Sequence, residues 1–186
     1  MRNTRDIRVI RTQTAILKAL AELIQKKKLS SITITDLCAK ASINRNTFYY
    51  HYNNIFEFLE EHKQIVIEDI KKVAEKSKFH SKQVHIDLCH ALLNHPYFLS
   101  IMLSPNCDID YFSDIFAAAS KVTESFVAKS NNTTVRGKYI DTYCDAGTNA
   151  IIKAWILGGM KETPEEIGDI IWEASSKGPF NLMDFN

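Results

Sequence analysis

Between residues 45 and 51 the sequence places Arg45, Asn46, Thr47, Tyr49, Tyr50 and His51, six hydrogen-bonding side chains in seven positions. A helix this short buries little, so the concentration points to a partner outside the chain. Arg can bond guanine O6 and N7 together, and Asn can do the same for adenine N6 and N7. Thr, Tyr and His supply neutral donors to phosphates, which set register without reading sequence. The competing account is a polar surface turn beside a helical core, because the aromatics at 48, 49, 50 and 52 could all be packing.

Other chemistries find less support. His80, His85, His90 and His95 recur every five residues. Steps of five rotate by about 140° on a helix, so the side chains spread around it instead of converging on a metal. Even with His85 and Cys89 at i and i+4, no metal site is assigned. Cys38, Cys89, Cys107 and Cys144 are scattered without a C-x-x-C pair, which reads as small buried hydrophobes in a reducing compartment. There is no convincing nucleophile–base arrangement, phosphate loop or paired-carboxylate motif. The expectation is a protein that is not an enzyme and carries no cofactor.

Charge agrees with a polyanionic partner. The net charge of +1 hides an asymmetry: residues 1–55 hold ten Lys and Arg against three Asp and Glu, a net of +7, which leaves −6 for residues 56–186. A basic first third on an acidic remainder reads as a polyanion-facing module on a body with another task. A hydrophobic content of 45% with 24% charged residues is ordinary for a chain that buries a real core. No run approaches the ~18 apolar residues of a membrane span. The N-terminal M-R-N-T-R-D-I-R lacks the apolar stretch of a secretory signal, so a cytoplasmic location away from membranes is expected.

The elements that must position residues 45–51 read as helices throughout. Ile16, Leu20, Leu23 and Ile24 recur at helical spacing in residues 8–27, with Lys26, Lys27 and Lys28 placed to favour the end of the macrodipole. Arg2, Arg5, Arg8 and Arg11 form either a drifting basic stripe or a basic arm able to reach a minor groove. Thr33-x-x-Asp36 is a capping box opening a second helix with Leu37, Cys38 and Ala41 on one face. Ser42-Ile43-Asn44 turns the chain, and Asn44 is a good N-cap for the third helix, whose Phe48 and Tyr52 face inward. That is helix-turn-helix patterning, in which the start of the second helix meets base edges.

Further helices are expected over residues 55–77, from 83 to 95, over 97–103, 110–129 and 136–157, and from Thr163 onward. The last opens with a Thr cap, Pro164 at its first position and two acids. Gly147, Ala150, Ala154 and Gly158 form a ridge of small residues at spacings of 3, 4 and 4, which permits close helix approach. The competing reading is that both final helices simply pack inside the monomer.

The run I-T-I-T-D-L-C-A-K-A-S-I-N-R-N-T-F-Y-Y-H-Y-N-N, followed by Phe58-Leu59, resembles the DNA-binding domain of the TetR family of bacterial transcriptional regulators. D-A-G-T-N-A-I-I-K-A-W-I-L-G-G-M-K-E-T-P-E-E-I is similar to the end of the C-terminal domain found in Firmicutes members. The resemblance implies that Thr35, Arg45, Asn46 and Tyr50 lie near bases, and Thr47, Tyr49 and His51 near the backbone. It also implies a four-helix homodimer interface; Gly147, Ala150, Ala154, Gly158, Ile167 and Ile171 are its candidate residues. The family often has Gly where Ser42 and Asn46 stand, and a Lys where this chain has Ile55. That Lys is a common phosphate contact, for which Asn53 or Asn54 is the candidate substitute.

The expectation is therefore an all-α chain. Residues 1–60 form a three-helix DNA-binding domain with its motif at 33–52, and residues 61–186 form a regulatory and dimerisation domain. The function expected is repression at a palindromic operator in double-stranded DNA, relieved by a small-molecule effector. Alternatives are an activator or co-regulator whose body binds a protein partner or no effector, and a ligand-binding or catalytic helical protein with a vestigial head. Tyr97, Phe98, Met102, Phe112, Phe116 and Tyr143 are candidates for lining a pocket, although core packing explains most of them better. No effector site is assigned.

Overall fold

A computed structural model describes residues 7–76, 81–127 and 134–178, with only the backbone of 121–127. Among the described residues the secondary structure is helical, with no strand. The helices are α1 (Ile7–Leu23), α2 (Ile34–Ala41), α3 (Arg45–His51), α4 (Ile55–Lys76) and α5 (Lys82–Leu93), then α6 (Pro96–Met102), α7 (Tyr111–Val127), α8 (Val135–Leu157) and α9 (Pro164–Lys177). A 3₁₀ turn, Leu29–Ser31, joins α1 to α2. The expected basic residues Arg2 and Arg5, the histidine His80 and the helix end at 128–129 lie outside the described residues.

The chain divides into two compact units, which do not follow chain order. The first joins residues 1–65 to residues 95–112; the second joins 66–94 to 113–186. Its α4 therefore contributes to both.

In the first unit, Ile16, Leu20, Ile24, Leu29, Leu37, Phe48, Phe58, Leu59, Phe98, Leu99 and Ile101 form the buried core. Helix α6 packs on α1. His62 is also buried, and its Nδ1 donates to the Phe58 carbonyl at 2.9 Å. Burial pushes its pKa down, because the imidazolium would lose its hydration.

The end of α1 differs from expectation. The helix stops at Leu23 with no basic side chain in its last turn, and the Lys26 and Lys27 backbone N–H groups donate to the Leu23 carbonyl at 3.0 and 3.3 Å. Asn106 Nδ2 instead donates to the Ile24 carbonyl at 2.7 Å, while Lys27 pairs with Asp36 at 2.6 Å. A helix leaves its final carbonyls without internal partners, and a side chain from elsewhere meets that need here.

In the second unit α9 packs on α5 and on α8. The approach to α5 is close at Gly168, where an added Cβ would lie 3.0 Å from the Ile86 backbone nitrogen. Lys82 pairs with Asp169, and His90 Nε2 meets Glu165 Oε1 at 2.9 Å, along the same helix pair. Thr163 caps α9 in a full capping box with Glu166. Between α8 and α9 the chain turns through Gly159, whose φ of 87° is a conformation glycine adopts freely. Trp155 Nε1 donates across this turn to the Glu162 carbonyl at 3.0 Å.

Candidate nucleic-acid interface

Local sequence builds α2 and α3 in a way that leaves one polar surface free. Thr33 Oγ1 accepts from the Asp36 N–H at 3.1 Å and Asp36 Oδ2 accepts from the Thr33 N–H at 3.2 Å, a complete capping box. The Asp36 carboxyl falls to a pKa of about 2, chiefly through the Lys27 hydrogen bond and then through Thr33. Helix α2 ends at Ser42, which takes the left-handed conformation with φ 55° and ψ 41°. That is the glycine-favouring geometry, here adopted by serine. Asn44 then caps α3, its Oδ1 accepting from the Asn46 N–H at 2.8 Å.

The short α3 is held from below by aromatic rings. Phe48 and Tyr52 are buried and pack on Phe58, with the Tyr52 and Phe58 rings edge to face at 5.0 Å. Gln13 Nε2 donates to Tyr52 Oη at 2.8 Å and to Glu61 Oε1 at 3.2 Å, so α1, the end of α3 and α4 share one polar cluster. With Phe48 and Tyr52 occupied this way, the other side chains of α3 project outward. Thr35, Arg45, Asn46, Thr47, Tyr49 and Tyr50 are exposed, Tyr50 to 79%, and His51 is half-exposed against the Tyr50 ring at 4.9 Å. Arg45 Nη1 lies 3.4 Å from Thr35 Oγ1, which brings these two from separate helices together.

Ile55 is only 6% exposed and belongs to the core at the start of α4. The two neighbours considered as substitute phosphate contacts are engaged within the chain. Asn53 Nδ2 donates to Glu57 Oε2 at 2.7 Å, and Asn54 Oδ1 accepts from the Glu57 N–H at 2.8 Å. Sequence reasoning missed Gln13, Glu61 and Asn106, whose partners are far away along the chain. A local signal at Asn106 is its place after Ser104-Pro105, residue types that favour a turn but name no partner.

Comparison with known proteins shows the family. The TetR-type family model described as "Transcriptional regulator C-terminal region" matches residues 80–176, just over half of the chain. The chain belongs to the TetR family of transcriptional regulators. The HTH-type transcriptional regulator YxbF of Bacillus subtilis (strain 168) is 26% identical over 180 residues, 90% of this chain. This chain spans 46% of that relative's length. Among solved structures, a TetR transcriptional regulator from Streptococcus agalactiae 2603V shares the fold with a TM-score of 0.62 and 17% identity, covering 90% of this chain and 95% of its own. FadR from Bacillus subtilis in complex with stearoyl-CoA has a TM-score of 0.61 at 12% identity, covering 89% and 98%.

In this TetR-family chain the second unit presents an apolar stripe. Tyr139, Tyr143, Ala146, Ala150, Ala154 and Leu157 follow one another by three or four residues along α8, and all are exposed. Of the expected ridge, Ala150, Ala154 and Gly158 are exposed and Gly147 is half-exposed. Ile167 and Ile171 are instead buried within the chain, Ile171 completely, because Gly168 draws that face of α9 onto α5. The isoleucine that α9 turns outward is Ile170, at 47% exposure.

Of the pocket candidates, Phe98, Met102 and Phe116 are buried among core residues and Tyr143 is exposed on α8. The histidines have separate surroundings: His85 faces the Trp172 ring at 6.5 Å, whereas His90 meets Glu165. All four cysteines are free, and burial raises the Cys89 thiol to about 12. No helix among the described residues is long and apolar enough to cross a membrane.

Proposed function

We propose that this TetR-family regulator reads a short palindrome in double-stranded DNA through Thr35, Arg45, Asn46, Thr47, Tyr49, Tyr50 and His51. The observation that carries the reading is the separation of faces on α3. Phe48 and the Tyr52 that follows the helix are buried, while Arg45, Asn46, Thr47, Tyr49 and Tyr50 stand exposed and His51 half-exposed in the basic third of the chain. Residues 1–60 supply the reading head, and residues 61–186 supply control and pairing. Arg45 and Asn46 reach base edges, and Thr47, Tyr49 and His51 bond phosphates.

Two copies pair through the α8 stripe with Ala150 and Ala154 at its centre, flanked by Gly147, Gly158 and Ile170. A homodimer matches the two half-sites of a palindrome, one turn of DNA (about 34–36 Å) apart. The regulator represses, and a small molecule with different affinity for the binding and non-binding states releases it. Selection of bound sequences from random duplexes, repeated with a panel of metabolites, tests this. Recovery of an inverted repeat with half-sites about one turn apart is the expected result. A pool no different from the starting one would overturn the reading.

A further inference from the structure

The strongest structural oddity is the partner chosen by the end of α1. Ser104-Pro105-Asn106-Cys107 forms a turn, with the Cys107 N–H donating to the Ser104 carbonyl at 2.9 Å. Pro suits the second position of such a turn, which fixes the direction of the residue that follows. Asn106 uses its side-chain amide nitrogen and its backbone carbonyl on the α1–α2 joint. Its Nδ2 donates to the Ile24 carbonyl at 2.7 Å, and its own backbone carbonyl accepts from the Leu29 N–H at 2.9 Å. Ser104 Oγ adds a longer bond to the same Ile24 carbonyl at 3.5 Å.

The joint so held leads directly into the reading head. Leu29 is buried and opens the 3₁₀ turn; Thr33, four residues on, caps α2. Lys27, between Ile24 and Leu29, pairs with the Asp36 carboxylate of that same capping box. The segment around the turn is itself anchored: Phe98, Leu99, Ile101 and Met102 of α6 are buried, Phe98 packs on Tyr111 at 5.8 Å, and Lys63 Nζ lies over the Tyr111 ring at 5.9 Å. Residues 95–112 accordingly fall in one compact unit with residues 1–65.

We propose that Asn106 is a positioning residue for DNA reading. It touches no DNA; it sets where α2 begins relative to α1, and hence the register of α3, from a segment 82 residues away along the chain. This inference rests on the proposed DNA-reading function of α3. Its physical basis is that specific readout needs bidentate geometry. Non-specific binding needs only charges near phosphates.

The test compares wild type with Asn106→Ala and Asn106→Asp in the full chain. Asp keeps the shape but removes the donor and sets a negative charge against the Ile24 carbonyl. Affinity is measured for a duplex recovered by selection on wild type and for a scrambled duplex of equal length. We expect specific affinity to fall about tenfold in each variant, the size of one lost hydrogen bond. Scrambled-duplex affinity should stay within about twofold, since no charge near the phosphates changes in Asn106→Ala. Hydrogen exchange at the Leu29 amide should quicken, with amides of α8 and α9 unchanged. An unchanged ratio of specific to scrambled affinity, or equal losses in both that track the unfolded fraction, would overturn the role of Asn106. Should Asn106→Ala fail to fold, Ser104→Ala, which loses the longer bond to Ile24 and the 3.3 Å bond that Ser104 Oγ accepts from the Asn106 N–H, decides by the same ratio. A wild type that does not distinguish the two duplexes would overturn the DNA-reading proposal itself.

Discussion

Gln13 and Tyr52, 39 residues apart, meet at 2.8 Å between the side-chain amide and the phenol. The bond joins the first helix to the residue that ends α3, and Glu61 Oε1 receives from both, at 3.2 and 3.4 Å. A buried phenol needs such partners, because an unpaired polar group in a core is costly. Tyr52 therefore contributes its ring to the aromatic core and its hydroxyl to a clamp on α3.

Replacing Tyr52 by Phe keeps the ring and removes the clamp. Urea denaturation should show a loss of about 1 kcal/mol. Gln13→Ala should cost a similar amount, and the double variant less than the sum, since the two share one network. Additive losses would show that the cluster is not coupled.

Arg45 stands exposed at the first position of α3, within reach of Thr35. Arg45→Ala should weaken operator binding by about 1–3 kcal/mol and relax preference at one base pair, with the dimer intact. Titration against single-base variants of the operator measures both effects. An unaltered footprint and affinity would remove Arg45 from direct readout.

Ser42 carries a left-handed conformation at φ 55° that glycine adopts without strain. Ser42→Gly should leave the fold unchanged and raise stability by up to about 1 kcal/mol, after glycine's greater freedom in the unfolded chain offsets part of the gain. Thermal and urea midpoints measure this, and a drop in both would count against the strain.

The Asp36 carboxyl, held at about 2 instead of 3.8 by Lys27 and Thr33, links stability to pH. A carboxyl with a lowered folded pKa stabilises the fold when ionised. Its contribution is complete above pH 3.8 and disappears as pH falls towards about 2. Asp36→Asn should therefore be less stable than wild type at pH 6, and the gap should close between pH 4 and pH 2. Urea midpoints across that window, wild type against variant, measure it; a constant gap would contradict the linkage.

Ala154 lies at the middle of the exposed α8 stripe. Ala154→Arg places a long charged side chain where two helices are proposed to meet, and should yield monomers in sedimentation velocity with unchanged helicity. An intact dimer would move the interface elsewhere.

Much of this chain follows from local sequence. Helical periodicity, the Thr33, Asn44 and Thr163 caps, the turn at Ser42 and the division of α3 into Phe48 and Tyr52 inward and the polar residues outward are all near-neighbour effects. They depend on side chains three or four positions apart, which one helix places together whatever else the chain does. Tertiary structure alone decided the rest. Periodicity puts Ile167, Ile170 and Ile171 on one amphipathic helix. Only the close approach at Gly168 to Ile86 determines that the first and last turn inward and Ile170 outward. Likewise Lys26, Lys27 and Lys28 were the nearest groups able to serve the end of α1. The carbonyl of Ile24 is met instead by Asn106, which no local rule could select because the pairing depends on how α6 packs on α1.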